Sequence, residues 1–286
     1  MLICTRTEEV DVFREILVPF NGSDDTVRAL EIGGGLASAS SRPLRILAYS
    51  SELDIPIHSR ALHDMADTIG ERYGLSAQIT TVVSARYLAD ELLAEARRRT
   101  GSVLCIPSQG LGRKALITGS MALDVLTAAQ GPVVLVGPEC EERMFEHKGP
   151  LVVALDGSPE SEAIVESAHE WATSFHLPVE VVSVLAADQS AARRSAIAGG
   201  EPEESAYVAR VAQESVLAEG DVSYEILHGK PVEEILREVN LKDASLIAIA
   251  SHVPLGIDRL LHGSVLDEVV RHSPVPVLAV NQWPAS

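Results

Sequence analysis

The feature that most constrains this chain is a plan written twice. Residues 245–280 read SLIAIASHVPLGIDRLLHGSVLDEVVRHSPVPVLAV: a buried strand, a loop with Gly256, a Gly-Ser pair opening a helix, then Pro-x-Pro and a second buried strand. Residues 102–136, SVLCIPSQGLGRKALITGSMALDVLTAAQGPVVLV, keep the same order. A glycine stands seven positions before each Gly-Ser pair, Gly112 before Gly119 and Gly256 before Gly263. A leucine stands three before, at Leu116 and Leu260. The starts of the copies agree too: the apolar run at 16–20 ends in Asn21-Gly22-Ser23, and the run at 151–155 ends in Asp156-Gly157-Ser158. First strand to first strand is 135 positions, and Gly-Ser to Gly-Ser is 144, so this is a tandem duplication with unequal middle loops.

Between these landmarks each copy alternates strand and helix five times, which requires an α/β fold with a parallel sheet and right-handed crossovers. The first copy predicts strands near 16–20, 44–49, 77–83, 103–106 and 133–136. Its helices fall near 26–40, 59–73, 87–99 and 120–129. The second predicts strands near 151–155, 179–185 and 222–227, one opening at Ser245 and one at 277–280, with helices near 160–175, 202–218, 232–241 and after Ser264. Residues 1–14 read as a loosely ordered extension, 15–137 as the first domain, 138–149 as a polar linker and 150–286 as the second domain. The glycine triad Gly33-Gly34-Gly35 falls in mid-helix, well past the strand end, where close packing on the sheet explains it better than a phosphate loop. The valine-rich last strands, Val133–Val136 and Val277–Val280, would be exposed edges if left alone, and are expected to pair with each other.

Composition narrows the function. The net charge is -18, shared unequally: 14 basic against 19 acidic residues over 1–145, and 9 against 22 over 146–286. So acidic a chain lacks the basic face that sequence-independent nucleic-acid binding requires. The run Arg97-Arg98-Arg99 closes a helix, where cations suit the macrodipole. Three cysteines, Cys4, Cys105 and Cys140, have no metal-ligand spacing, which is the profile of a reducing, cytoplasmic protein. No apolar run reaches the roughly 18 residues of a membrane span. His252, His262 and His272 recur every ten residues, which is no helical ligand pattern, so no metal site is expected. His252 and His262 remain candidates to touch a bound nucleotide.

Taken together, these residues resemble the universal stress protein family, in its UspA-like tandem form. The resemblance rests on the strand ending in Asp-Gly-Ser (151–158), Gly-Lys-Pro-x-x-x-Ile-Leu (229–236), Gly-Ser-Val (263–265) and Ser-Pro-Val-Pro-Val-Leu (273–278). It implies two Rossmann-like domains of the adenine nucleotide alpha hydrolase type, each a five-stranded parallel sheet with helices on both faces. It implies pairing of the two copies as a pseudo-dimer, with further homodimerisation open, and a role in stress response. In members that bind ATP, an Asp at the end of the first strand contacts adenine. A Gly-x-x-Gly-x9-Gly-Ser/Thr loop wraps ribose and phosphates. Carried onto this chain, the second-copy site comprises Asp156, Gly157, Ser158, Ala250, His252, Val253, Gly256, His262, Gly263, Ser264 and Val265. The first-copy set is Asn21, Gly112, Gly119 and Ser120.

General physics selects the same region. Ligands of open parallel sheets sit beyond the strand C-termini at the switch point, and a helix opened by Gly-Ser offers N–H groups to an anion. Both copies depart from the full motif. The upstream glycine positions hold Ala250 and Val253 in the second copy, and Ile106 and Gln109 in the first, while Asn21 replaces the Asp. Arg113, Lys114 and Arg259 are the loop cations that could neutralise phosphate. Ser120 and Ser264 would cap their helices with or without a ligand. No nucleophile elbow, Walker loop or carboxylate pair stands out, so the chain is expected not to be an enzyme. Two readings stay open: an adenine-nucleotide-binding regulatory protein acting mainly through its second copy, and a non-nucleotide pseudo-dimer acting through an unknown protein partner.

Overall fold

The computed structural model describes residues 13–50, 59–83, 87–109, 120–141, 149–185, 203–251 and 265–281. The first half runs β1 (Glu15–Phe20), α1 (Asp24–Ala39), β2 (Leu44–Ser50), α2 (Ser59–Tyr73), β3 (Ala77–Val83), α3 (Leu88–Arg98), β4 (Ser102–Pro107), α4 (Ser120–Ala128) and β5 (Val133–Val136). The second begins with β6 (Leu151–Leu155) and a 3-10 turn at Ser161–Ala163 that runs into α5 (Ile164–Phe175). It continues with β7 (Val179–Leu185), α6 (Glu203–Glu214), β8 (Val222–His228), α7 (Pro231–Leu241), β9 (Leu246–Ser251), α8 (Val265–His272) and β10 (Val277–Asn281).

All ten strands form one sheet, in the order β3-β2-β1-β4-β5-β10-β9-β6-β7-β8. Within each half the pairing is parallel; at the centre β5 meets β10 antiparallel, with Leu135, Val134 and Val133 opposite Val277, Leu278 and Ala279. The two valine strands thus cover each other's edge. Strands buried on both faces must be apolar throughout, which is why they read as unbroken runs rather than alternating patterns. Their side chains still sort by parity. Ile16, Val18, Val153 and Leu278 enter the core under α1, α2, α5 and α6, while Leu17, Val152 and Val277 enter the core under α3, α4, α7 and α8. Both cores run across the β5–β10 seam.

Helix boundaries differ from expectation where polar turn chemistry intervenes. α1 starts at Asp24, two residues early, because Ser23 already has extended N-cap backbone. The helix expected from 160 opens as a 3-10 turn and becomes α-helical only at Ile164. The helix expected over 202–218 breaks at Ser215, whose side chain accepts from Leu217 N and starts a 3-10 turn. The glycine triad does pack closely: a Cβ on Gly33 would stand 2.5 Å from Val18 Cγ2, and one on Gly34 2.8 Å from the Tyr73 ring.

Two segments read as extension and linker are tied to the opposite half. Phe13 is 2% exposed and stacks on Trp171 of α5 at 5.0 Å between ring centroids, with Phe175 at 6.0 Å. The extension therefore ends as core, because two large apolar rings gain more from each other than from water. At the other end Gly137 lies so close to α8 that a Cβ there would meet Val270 O at 1.8 Å. Glu141 N donates to Pro274 O, and Cys140 is 3% exposed. In the reciprocal direction Asn281 Nδ2 donates to Thr127 O of α4 at 2.9 Å. Cys105, read as a small buried hydrophobe, is fully buried, and burial pushes its thiol pKa up.

Candidate functional site

In each half the two central strands leave toward opposite sides. β6 leads to β7 on one flank while β9 leads to β10 on the other, and β1 and β4 do the same in the first half. The crevice beyond their C-terminal ends is the switch point where open parallel sheets hold ligands. The residues there are the two Asx-Gly-Ser turns.

At the end of β6 the backbone turns through Gly157 at φ +86, a left-handed value that suits glycine and strains residues with a Cβ. Asp156 is exposed, and its Oδ1 accepts from Ser158 N at 2.9 Å and from Ser158 Oγ at 2.5 Å. Ser158 Oγ in turn accepts from Ser161 N at 3.1 Å, and Ser161 Oγ donates to Ser158 O at 2.8 Å. The expected helix cap is therefore an Asx turn: the carboxylate binds the residue two ahead, and the serines relay the restraint into α5. The result is a carboxylate at the rim whose direction is fixed by its own turn.

The first half repeats the turn with different chemistry. Gly22 has φ +84, and Asn21 Oδ1 accepts from Ser23 N at 2.9 Å. Thr26 stands where Ser161 stands in the second half, fully buried, with its Oγ1 2.9 Å from Ser23 O and 3.0 Å from Asn21 Oδ1. A carboxamide carries no charge, and here its oxygen serves the turn twice. Thr26 and Ser161 were not singled out in the sequence, although they recur at the same 135-residue offset as the turns themselves.

The start of the helix after Asp156 has neighbours that periodicity alone does not reveal. Tyr207 of α6 lies beside Ser161 and Glu162, with burial the chief cause raising its pKa. The Arg210 guanidinium stands 5.4 Å from the Tyr207 ring centroid and 2.9 Å from Glu162 Oε1. An aromatic face and a guanidinium thus pack against the start of the 3-10 turn that follows Asp156.

Across the crevice, Ala154 is in register with Ile249, so the chain leaves β6 at Asp156 beside the end of β9 at Ser251. Ala250 is 5% exposed and belongs to the core under α5 rather than to an open surface. Ser251 beside it is 3% exposed. Val265 opens α8 and is 37% exposed, and Ser120 opens α4. The first turn of α8 carries Asp267 and Glu268, with Arg271 paired to Asp267 at 3.2 Å. Negative charge at a helix start opposes a phosphate there, and the arginine offsets part of it. The candidates His252, Val253, Gly256, His262, Gly263, Ser264, Gly112 and Gly119 lie outside the described residues, as do Arg113, Lys114 and Arg259. His272 lies inside, and its Nδ1 is 2.9 Å from Glu139 Oε1 across the seam. Among the described residues no helix is long and apolar enough to cross a membrane.

Comparison with known proteins agrees with this fold. Residues 149–281 match the model of the universal stress protein family. A universal stress protein of Mycolicibacterium smegmatis is 24% identical over 231 residues, covering 76% of this chain and 72% of that protein. The stress response protein NhaX of Bacillus subtilis is 27% identical over 165 residues, 47% of this chain and 98% of its own length. The crystal structure of a universal stress protein from Archaeoglobus fulgidus superposes with a TM-score of 0.66 at 19% identity, covering 94% of this chain and 98% of that one.

Proposed function

We propose that this chain, whose residues 149–281 match the universal stress protein family, is a regulatory adenine-nucleotide binder with its working site in the second half. The observation that carries this reading is Asp156: an exposed carboxylate at the β6–β9 switch point, aimed by Ser158. A carboxylate accepts hydrogen bonds from the exocyclic amine of adenine, and a glycine turn lets the base approach the backbone. The nucleotide, ATP or a relative with fewer phosphates, is held rather than turned over, and occupancy reports a cellular state to a partner protein. Such a role places the protein in the cytoplasm, in stress adaptation.

The first half supports the rival reading for itself. Its Asn21 is neutral and its side-chain oxygen is already used by Ser23 N and lies beside Thr26 Oγ1. This half then serves as the fixed partner of the second in a pseudo-dimer that acts through protein contacts.

Calorimetric titration of the whole chain with ATP and with AMP separates the two readings. One nucleotide per chain is expected, with Asp156→Ala weakening binding about tenfold, the value of one or two hydrogen bonds to a charged group. Asn21→Ala should leave it unchanged. Absence of binding up to millimolar nucleotide, or equal binding by wild type and Asp156→Ala, rejects the second-half site.

A further inference from the structure

The second half holds another charged cluster, away from the Asp156 turn and buried between the sheet and α7. Glu180 of β7 is level with Val152, near the strand starts, and Glu225 comes from the neighbouring edge strand β8. Glu238 lies in the last turn of α7, and Lys242 follows directly after it. Glu180, Glu225 and Glu238 each bring a carboxylate oxygen within 4.8 Å of the others. Glu180 and Glu238 are 2% and 1% exposed.

One cation serves all three. Lys242 Nζ is 2.5 Å from Glu180 Oε1, 3.4 Å from Glu238 Oε1 and 3.9 Å from Glu225 Oε2. Among the described residues three carboxylates therefore face a single ammonium, an excess of negative charge that a sheet–helix interface tolerates poorly. The shortfall is visible in the hydrogen bonding. Glu180 Oε2 is buried with no hydrogen-bond partner among the described residues, and Glu238 Oε1 has the Lys242 ammonium at 3.4 Å. Buried carboxylate oxygens are normally satisfied, and an orphan on a side chain this enclosed points to a missing partner. The other cation on α7, Arg237, is engaged elsewhere, with Glu234 at 2.8 Å.

The donor set says what that partner is. Oxygen-only carboxylate ligands suit hard divalent cations, and a Ca2+ with bonds of about 2.4 Å bridges oxygens up to roughly 4.8 Å apart. The Glu225 side chain is 50% exposed, which leaves one side open for entry and for water ligands. The Lys242 side chain is 36% exposed on a flexible stem, free to withdraw its ammonium into solvent.

We infer that Glu180, Glu225 and Glu238 form a binding site for a hard divalent cation, Ca2+ by size, for which Lys242 is the resident counter-ion and competitor. With the ion bound, the orphaned Glu180 oxygen gains a partner and the ammonium leaves for water. The site ties the edge strand β8 to α7, so loading it stiffens the outer margin of the second half.

Calcium titration of the full chain at physiological ionic strength, with calorimetry and thermal unfolding as readouts, tests this. The expected result is one ion per chain and a raised Tm. Glu225→Gln, at the exposed member, should weaken binding about tenfold. Lys242→Met, which removes the competitor, should tighten it by a similar factor. Binding that is equal in wild type and Glu225→Gln is diffuse attraction to an acidic surface and overturns the site, as does absence of binding in both wild type and Lys242→Met. Should Lys242→Met not fold, wild type and Glu225→Gln decide the question alone: loss in the variant supports the site, and equal binding or none overturns it.

Discussion

The two halves share a sheet order but bury their first helices by opposite means. α1 sinks onto the strands because Gly33 and Gly34 remove the side chains that would hold it away from Val18 and Tyr73. Tyr73 then reaches past them to donate to the buried Glu31 Oε2 at 2.8 Å. α5 has Ala168, His169 and Glu170 at the matching positions, followed by Trp171, which is fully buried against Phe13 and Phe175. One helix packs by subtraction and the other by bulk, and the bulk recruits a residue from the other half. The turns before these helices diverge as well, with a neutral Asn21 against a charged Asp156. Duplication has kept the backbone and released the side chains, so the halves are equal as scaffolds and unequal as sites.

The sharpest way to break this comparison is at Trp171. Trp171→Ala should cost about 3–5 kcal/mol of stability by denaturant unfolding, as for other large buried aromatics. Phe13→Ala should cost nearly as much, and the double variant much less than the sum, because each ring is the other's partner. Strict additivity would show that Phe13 is not part of the second half's core. Next in size are the two arms of the seam. Gly137→Ala forces a Cβ toward Val270 O and should cost about 1–3 kcal/mol. Asn281→Ala loses one hydrogen bond to Thr127 O, worth about 1 kcal/mol. Equal effects would mean that the seam is symmetric after all.

The smallest effect concerns Glu170, whose counterpart in the first half is the uncharged Gly35. Burial, and then the Glu166 charge, raise the Glu170 pKa, with His169 opposing. The folded state therefore holds that proton more tightly than the unfolded chain, and ionisation at neutral pH works against folding. Glu170→Gln should raise Tm slightly at neutral pH, and the gain should vanish once the pH falls below the ordinary carboxylate range. A gain that persists in acid would assign the effect to packing instead.

Much of this was legible in the residues. Unbroken runs such as Leu151–Leu155 and Val133–Val136 declare strands buried on both faces, and edge chemistry then requires the two valine strands to meet. Phe13 was not legible, because its partner Trp171 belongs to the other half and no local pattern links them. Gly137 reads as the last residue before a linker since polar residues follow it, and only its approach to Val270 shows that it is packed. The loop count depends on where it begins. Ile16 pairs with Val103 and Leu151 with Leu246, so β1 and β6 are related by 135 positions but β4 and β9 by 143. Counted from the strands rather than from the Gly-Ser pairs, Gly110 becomes the counterpart of Val253. The first half then keeps one upstream glycine, where counting from Gly119 finds Gln109.

The antiparallel junction of β5 and β10 has a consequence for how the molecule behaves in a cell. A dimer joined through such strands comes apart on dilution, and each substitution at its interface strikes twice. Here both partners arrive in one polypeptide, so their encounter is intramolecular and its strength does not depend on expression level. Each side of the junction also mutates alone. Gly137 just after one strand and Asn281 at the end of the other make different contacts with the helices they meet, an inequality that a symmetric pair of identical subunits could not encode.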